Sequence, residues 1–111
     1  MRKYCKRIGD HGEDFAAHML EDAGYQILDR NYRTRVGEID IIAIKDGVLH
    51  FIEVKTRTAD DFGYPADAVT EEKQRSIRRS AECYLTGRHA MWRNVSLDVM
   101  EITANIITDC I

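Results

Sequence analysis

Apolar residues recur at helical spacing in two parts of the chain, and each part has residues that can start and stop a helix. Residues 10–23 carry the first pattern, with Asp10 able to cap its start and Gly24 able to end it. The second pattern follows Thr70, a favourable N-cap, and continues to about Leu85. The sequence therefore predicts two helices that each bury one face.

The rest of the chain alternates polar and apolar residues or forms short apolar runs, as is typical of β-strands. The predicted strands are residues 25–34, 37–45, 48–57 and 94–102, with a short last strand at 105–111. Asp46-Gly47 stands between the second and third strands and is a strong signal for a two-residue hairpin turn. The order α-β-β-β-α-β-β predicts an α/β fold in which helices flank a central mixed β-sheet.

Length and composition are those of one folded domain. The chain has 111 residues, 44% of them hydrophobic and 32% charged, with a net charge of −3, so nucleic-acid binding would have to come from local basic patches. Residues 1–9 are expected to form a basic N-terminal tail, without the apolar run of a signal peptide. Three cysteines without CxxC spacing argue against a disulfide framework or a zinc site. No apolar stretch approaches the roughly 18 residues of a membrane helix, and we expect a cytoplasmic protein without membrane association.

The predicted hairpin places charged residues opposite one another. A two-residue turn pairs Asp40 with Glu53, and Glu38 with Lys55. Strand side chains alternate between faces, so these four share one face, which is apolar near the turn and charged at the far end. We expect both faces to be covered and the charges to line a cleft at the far end. The opposite face is predicted to be almost wholly apolar and carries Ile39, Ile41, Ala43, Ile52 and Val54.

The pairing of Asp40 with Glu53 suggests a metal site. Directly opposed carboxylates about 5 Å apart repel each other, and either a raised pKa or a cation between them makes the arrangement tolerable. Two carboxylates, a strand carbonyl and water are oxygen ligands of the kind that Mg²⁺ or Mn²⁺ binds. Lys55, on the same face, can orient an attacking water or stabilise charge on a phosphate, which indicates metal-assisted phosphodiester hydrolysis. A cross-strand salt-bridge cluster on a wet end of the sheet is the non-catalytic interpretation of the same residues.

The segments GEIDIIA and FIEVKTR, in this order, resemble the D…ExK core of the PD-(D/E)xK nuclease superfamily. Over residues 9–102 the chain resembles the YraN-like family of small bacterial predicted endonucleases, which is related to Holliday-junction resolvases. The motifs that carry this resemblance are GEDFAAHMLEDAGYQILDRNYRTRVGEIDIIA, then EVKTR, then GYPADAVTEEKQRSIRRSAECYL. The resemblance implies a restriction-endonuclease-like fold.

The resemblance also implies roles for individual residues. By position, Asp40 and Glu53 would be metal ligands and Lys55 the catalytic lysine. Glu13 follows Gly12 in the first predicted helix, as the family's Gly-Glu does. It matches a glutamate that often assists the metal site in resolvase-like proteins, and from the residues alone it could face either the sheet or solvent.

The second predicted helix carries further candidates. Gln74 and Lys73 lie near its start, where the nuclease superfamily often places another active-site residue, although a solvated first turn is an equal alternative. Basic residues outnumber acidic ones in this part of the chain and could contact phosphates in a salt-dependent manner, although charged helix faces are usually only solvated. The residues expected to bind nucleic acid are Arg57, Lys73 and Arg78.

These observations predict a divalent-metal-dependent endonuclease that uses Mg²⁺ or Mn²⁺ to hydrolyse DNA, with branched or processed DNA as the expected substrate. A homodimer is a hypothesis, because a site this small often needs a second subunit to span branched DNA. Two interpretations from other classes stay open. The first is a non-catalytic nucleic-acid-binding module that keeps the nuclease fold, and the second is a protein–protein adaptor with a salt-bridged surface.

Overall fold

The chain folds into a four-stranded sheet with a helix on each face. The computed structural model describes residues 2–58, 69–87 and 92–104. Its elements are α1 (Arg2–Asp22), β1 (Gln26–Thr34), β2 (Gly37–Lys45), β3 (Val48–Thr58), α2 (Glu71–Gly87) and β4 (Val95–Ala104). The predicted α/β class and the order of its first six elements are confirmed. The strand predicted at 105–111 lies outside the described residues.

The sheet is mixed, as predicted. Its strand order is β1-β2-β3-β4, with antiparallel pairing of β1 with β2 and of β2 with β3, and parallel pairing of β3 with β4. Parallel neighbours need a crossover connection, and α2 lies in the segment that joins β3 to β4. Within the described part of the chain, no helix is long and apolar enough to cross a bilayer.

Local residues specify two of the helix ends. The hydroxyl of Thr70 accepts a hydrogen bond from the Lys73 amide at 3.1 Å, which confirms the predicted N-cap of α2. After α1, Gly24 has φ +94 and the amide of Tyr25 donates to the carbonyl of Leu20 at 2.9 Å, a glycine C-cap.

The start of α1 differs from the prediction. The helix begins at Arg2, so Asp10 lies within it and is not its N-cap, and the backbone of the predicted tail is helical from Arg2 onward. A capping residue does not by itself begin a helix when the residues before it can also adopt helical conformation. The segment before Asp10 contains no proline and continues the helix.

The β2–β3 hairpin has the predicted turn and register over its first half. Asp46 and Gly47 both have positive φ, 51° and 77°, as a two-residue hairpin turn requires. Pairing runs from Lys45 opposite Val48 to Ile41 opposite Ile52, and the predicted pairs of Asp40 with Glu53 and of Glu38 with Lys55 lie beyond this stretch.

Each face of the sheet has its own hydrophobic core. On the α1 face, Ala16 and Leu20 of the helix pack against Ile41 and Ile52. The core on the α2 face contains Ile39, Ile42, Leu49, Phe51, Ala81 and Tyr84. The prediction that Ile39 shares a face with Ile41 is therefore wrong.

A change of face on both β1 and β2 explains this difference. On β2 the change falls at Asp40, between Ile41 on the α1 side and Ile39 on the α2 side. On β1 it falls at Asn31, whose φ of 53° is rare for a residue other than glycine. Strict alternation holds only while the backbone stays extended, so the interruption redirects the side chains that follow.

Candidate active site

Helix α1 approaches the sheet closely at Gly12. A Cβ added at this glycine would overlap the hydroxyl oxygen of Thr56 on β3. The absence of a side chain therefore lets α1 lie directly against the strand that carries the ExK motif. Glu13, the next residue, is half-buried beside the open end of the hairpin.

Asp40 lies at the centre of the carboxylate cluster. Its Oδ2 accepts a hydrogen bond from the backbone amide of Val54 at 2.8 Å, at the point where the β2–β3 pairing has ended. The Asp40 carboxylate also lies close enough to the carboxyl groups of Glu13 and Glu53 to raise the pKa of both. The structure thus brings together three of the predicted site residues, from α1, β2 and β3. Glu38 adds further negative charge next to Glu13.

The pKa of Glu13 is raised from 4.5 to about 7. Burial is the largest cause, followed by the charge of Asp40 and the hydrogen bond to it, and then by the charge of Glu38. The guanidinium of Arg30 acts in the opposite direction. Near neutral pH the Glu13 carboxyl therefore keeps a proton on a fraction of molecules, which partly relieves the repulsion within the cluster.

Glu53 is the most buried of the three, with 6% of its surface exposed. Burial and the neighbouring charge of Asp40 raise its pKa, while Lys73 opposes the shift. The Lys73 ammonium nitrogen lies 3.2 Å from Glu53 Oε1, so this lysine of α2 reaches across to β3 and supplies a positive charge at the cluster. Lys73, expected to bind nucleic acid, therefore also belongs to the carboxylate site.

The other predicted residues lie around this cluster. Lys55 is half-buried on β3, two residues after Glu53, and its register partner is Glu101 on β4. The amide of Gln74 donates to the backbone carbonyl of Val69 at 3.3 Å rather than to a carboxylate. Gln74 and Arg78 both line a cavity of about 260 Å³ between α2 and β4. The backbone of Arg57 belongs to β3, and its side chain lies outside the described residues.

Sequence reasoning missed Asn31. With its NH₂ group turned toward the carboxylates, its amide donates to Glu38 Oε1 at 3.2 Å and to Glu13 Oε2 at 3.3 Å. The sequence offered one weak signal, an asparagine inside a strand pattern, a residue type that tolerates positive φ more readily than most. Only the fold places this strand residue beside a helix glutamate.

The donor set fits a hard divalent cation that keeps part of its water shell. Among the described side chains, no three His, Cys, Asp or Glu residues already surround a point as a closed metal cage would. Asp40 and Glu53 present carboxylate oxygens at one place, and Mg²⁺ is commonly bound by one or two carboxylates with water completing its shell. Burial and the nearby charge of Asp40 raise the pKa of Glu13 and Glu53, and a bound cation would oppose both shifts.

Similarity to known proteins identifies the family. Residues 12–102 match the model described as uncharacterised protein family UPF0102. The chain belongs to UPF0102. A UPF0102 protein of Clostridium perfringens strain SM101 is 47% identical over 106 residues, covering 96% of this chain and 87% of the relative. Another, of Alkaliphilus oremlandii, is 49% identical over 100 residues, covering 87% of this chain and 85% of the relative. Membership agrees with the YraN-like resemblance noted in the sequence.

Proposed function

We propose that this UPF0102 protein is a divalent-metal-dependent endonuclease that hydrolyses DNA phosphodiester bonds. The observation that carries the proposal is the convergence of Glu13, Asp40 and Glu53 from three separate elements. Burial, followed by the charge of Asp40, raises the pKa of Glu13 and Glu53. A fold gains no stability from such crowding, whereas a bound cation would turn it into an attractive arrangement. Perturbed titratable groups cluster at functional sites for this reason.

The strand positions support the same proposal. Asp40 on β2 and the Glu53-x-Lys55 sequence on β3 follow a leading helix, as in the D…ExK pattern that the sequence resembles. Asp40 and Glu53 would hold Mg²⁺ or Mn²⁺. When bound, the cation would supply Lewis-acid charge at the scissile phosphate and favour ionisation of a water molecule.

The remaining site residues would stabilise charge on the phosphate or transfer protons. Lys55 lies on the same strand as Glu53 and would stabilise charge that develops on the phosphate or orient the attacking water. Glu13, with a pKa of about 7, can accept or release a proton near neutral pH. Lys73, already at the cluster, would either pair with Glu53 or contact a DNA phosphate.

Exposed arginines of α2 and of the end of β1 would bind the DNA backbone. Arg75, Arg78 and Arg79 are exposed along α2, and Arg33 and Arg35 are exposed at the end of β1 and in the turn that follows. They give a chain of net charge −3 a local basic surface, so DNA binding should weaken steeply with added salt. Branched DNA as the substrate and a homodimer as the active form belong to the proposal as its finer parts.

The first experiment measures cleavage and metal binding together. The purified protein is incubated with supercoiled plasmid and with four-way, flapped and single-stranded DNA, in Mg²⁺, Mn²⁺ or chelator. We expect metal-dependent cleavage that Asp40→Asn, Glu53→Gln and Lys55→Ala each reduce by at least 100-fold, in line with typical losses of electrostatic groups in enzymes. Glu21→Gln is the matched control, because it removes an exposed carboxylate elsewhere on α1.

A thermal-shift measurement tests metal binding even if the true DNA substrate is not among those offered. Mn²⁺ at millimolar concentration should raise the unfolding temperature of the native protein and of Glu21→Gln, by the free energy RT ln(1 + [L]/Kd), and should not raise that of Asp40→Asn or Glu53→Gln. Cleavage that survives both substitutions would point to a contaminant. Salt-dependent DNA binding with neither cleavage nor metal stabilisation would favour the non-catalytic binding module.

Light scattering tests the homodimer. A dimeric mass at micromolar concentration, in the presence of a four-way junction or without it, is the expected result. A strict monomer under both conditions would remove the dimer from the proposal while leaving the nuclease activity to be judged by the cleavage assay.

A further inference from the structure

Asn31 occupies an unusual backbone position directly opposite the proposed metal ligand Asp40. On β1 it stands between Arg30, which pairs with Ile41, and Tyr32, which pairs with Ile39. Its φ of 53° interrupts the strand at the register position that faces Asp40. Such a conformation costs free energy for most residues and persists only where the surrounding structure holds it.

The interruption sends neighbouring side chains of β1 to opposite faces. Arg30 reaches α1, where its guanidinium lies 2.7 Å from Asp14 Oδ1. Tyr32 packs on the α2 side, with its ring 5.3 Å from that of Tyr84. Between them, the Asn31 amide faces the carboxyl groups of Glu13 and Glu38. The left-handed backbone and the amide contact therefore both occur at Asn31, beside the carboxylate cluster.

We propose that Asn31 is a positioning residue for Glu13. Its backbone turns β1 opposite Asp40, and its amide holds the Glu13 carboxyl over the pair formed by Asp40 and Glu53. With its NH₂ group turned toward the carboxylates, the amide donates to Glu13 Oε2 at 3.3 Å, on the carboxyl group that also feels the charge of Asp40. Residues that orient a ligating or assisting group in this way typically change metal affinity by about 10- to 100-fold when they are removed. The proposal rests on the metal-dependent site described above.

A glycine substitution at Asn31 tests the amide alone, and a second residue with positive φ provides the control. Asn31→Gly keeps positive φ accessible and removes only the amide. Asp46→Gly is the matched control, since Asp46 also has positive φ, 51°, but lies in the hairpin turn at the other end of β2. Both variants should fold, and only the first should affect the site.

The experiment is a double-mutant cycle on Mn²⁺ affinity, measured by isothermal titration calorimetry. We expect Asn31→Gly to raise the dissociation constant roughly 10-fold, Asp46→Gly to leave it unchanged, and Asn31→Gly combined with Glu13→Gln to bind no more weakly than Glu13→Gln alone. Native affinity in Asn31→Gly, or the same fold-loss in both backgrounds, would overturn the proposal.

The four proteins of the cycle (native, Asn31→Gly, Glu13→Gln and the double variant) are also unfolded thermally in chelator. This measurement separates the present proposal from the proposed function. If the native protein binds no Mn²⁺, the metal-dependent function fails. The shifts in unfolding temperature then test, independently of metal binding, whether Asn31 contacts and positions Glu13. Non-additive shifts for Asn31→Gly and Glu13→Gln would uphold the positioning contact, and additive shifts would overturn it.

Discussion

The two ends of the β2–β3 hairpin are built in opposite ways. At the turn end, pairing is regular from Lys45 opposite Val48 to Ile41 opposite Ile52, and apolar side chains are covered on both faces. At the open end this pairing stops, and the Asp40 carboxylate accepts the amide hydrogen of Val54. The same two strands therefore provide a conventional core at one end and a crowded charged site at the other.

The difference shows how this small domain separates stability from chemistry. Burial at the turn end lowers the free energy of the folded state, because it removes apolar surface from water. The open end buries carboxyl groups beside like charges, which raises the pKa of Glu13 and Glu53 and, without a cation, opposes folding at pH values where these groups are ionised. A domain can keep such a site only because the other end of the same strands supplies the stabilising contacts.

The largest expected effect comes from the turn end. Phe51 is fully buried and packs edge-to-face on Tyr84, with ring centroids 5.8 Å apart. Phe51→Ala should lower the free energy of unfolding by about 3–5 kcal/mol, as is typical of a large core truncation. Leu97→Ala is the control, because Leu97 is 43% exposed on β4. Urea denaturation measures both, and equal losses would mean that the turn end is not the main source of stability.

The next effect comes from the contact that brings α1 to the site. Gly12→Ala should destabilise the protein by about 1–3 kcal/mol, because the added methyl group meets Thr56 in a packed contact. Alanine normally favours a helix over glycine, so the sign of this change is diagnostic. Gly87→Ala in α2, where an added Cβ meets nothing within 4 Å, should be neutral or stabilising. Recovery in Gly12→Ala combined with Thr56→Ala would identify the contact, and failure to recover would contradict it.

A smaller effect is expected from Asp40 itself in metal-free buffer. Asp40→Asn removes one negative charge and keeps an oxygen for the Val54 amide, so it should be as stable as the native protein or more stable. Asp40→Ala also loses this hydrogen bond and should be less stable than Asp40→Asn by about 1 kcal/mol. Denaturant midpoints of the two variants give the answer. If Asp40→Asn is clearly less stable than the native protein, the carboxylate charge is structural and the functional interpretation of the open end is weakened.

The smallest effect is a pH dependence of metal-free stability. The pKa of Glu13 is raised to about 7, so between pH 4.5 and about 7 the folded chain holds a proton that the unfolded chain has released. The contribution of Glu13 to stability is therefore complete below pH 4.5 and is lost as pH rises through about 7. Glu13→Gln should flatten this part of the profile, measured by unfolding temperature in chelator. An unchanged slope would place the effect in other groups.

Much of the fold could be predicted because interactions between residues close in sequence specify it. Asp46-Gly47 adopts the positive φ values of the predicted turn, and that turn sets the register of the paired stretch. Thr70 caps α2 and Gly24 ends α1, as expected. The convergence of Asp40 with Glu53 was also predicted from this register, although the two carboxylates meet just beyond the paired residues.

The details of the site could not be predicted in the same way. Alternation placed Ile39 on the same face as Ile41, but the interruption at Asn31 and Asp40 moves it to the α2 core. Lys73 was expected either to join the active site or to bind nucleic acid, and its contact with Glu53 depends on how α2 lies across the sheet. Glu13 could have faced solvent or the sheet until the approach of α1 at Gly12 was known.

The sequence by itself determined the elements, the hairpin turn and the residue types that carry the proposed chemistry. Turns, caps and strand periodicity depend on residues a few positions apart, whose interactions form locally in any context. The tertiary structure decided which of these residues meet. Glu13, Asn31, Asp40 and Glu53 come from four different elements, and their contacts depend on helix packing and on a backbone interruption that no local pattern encodes.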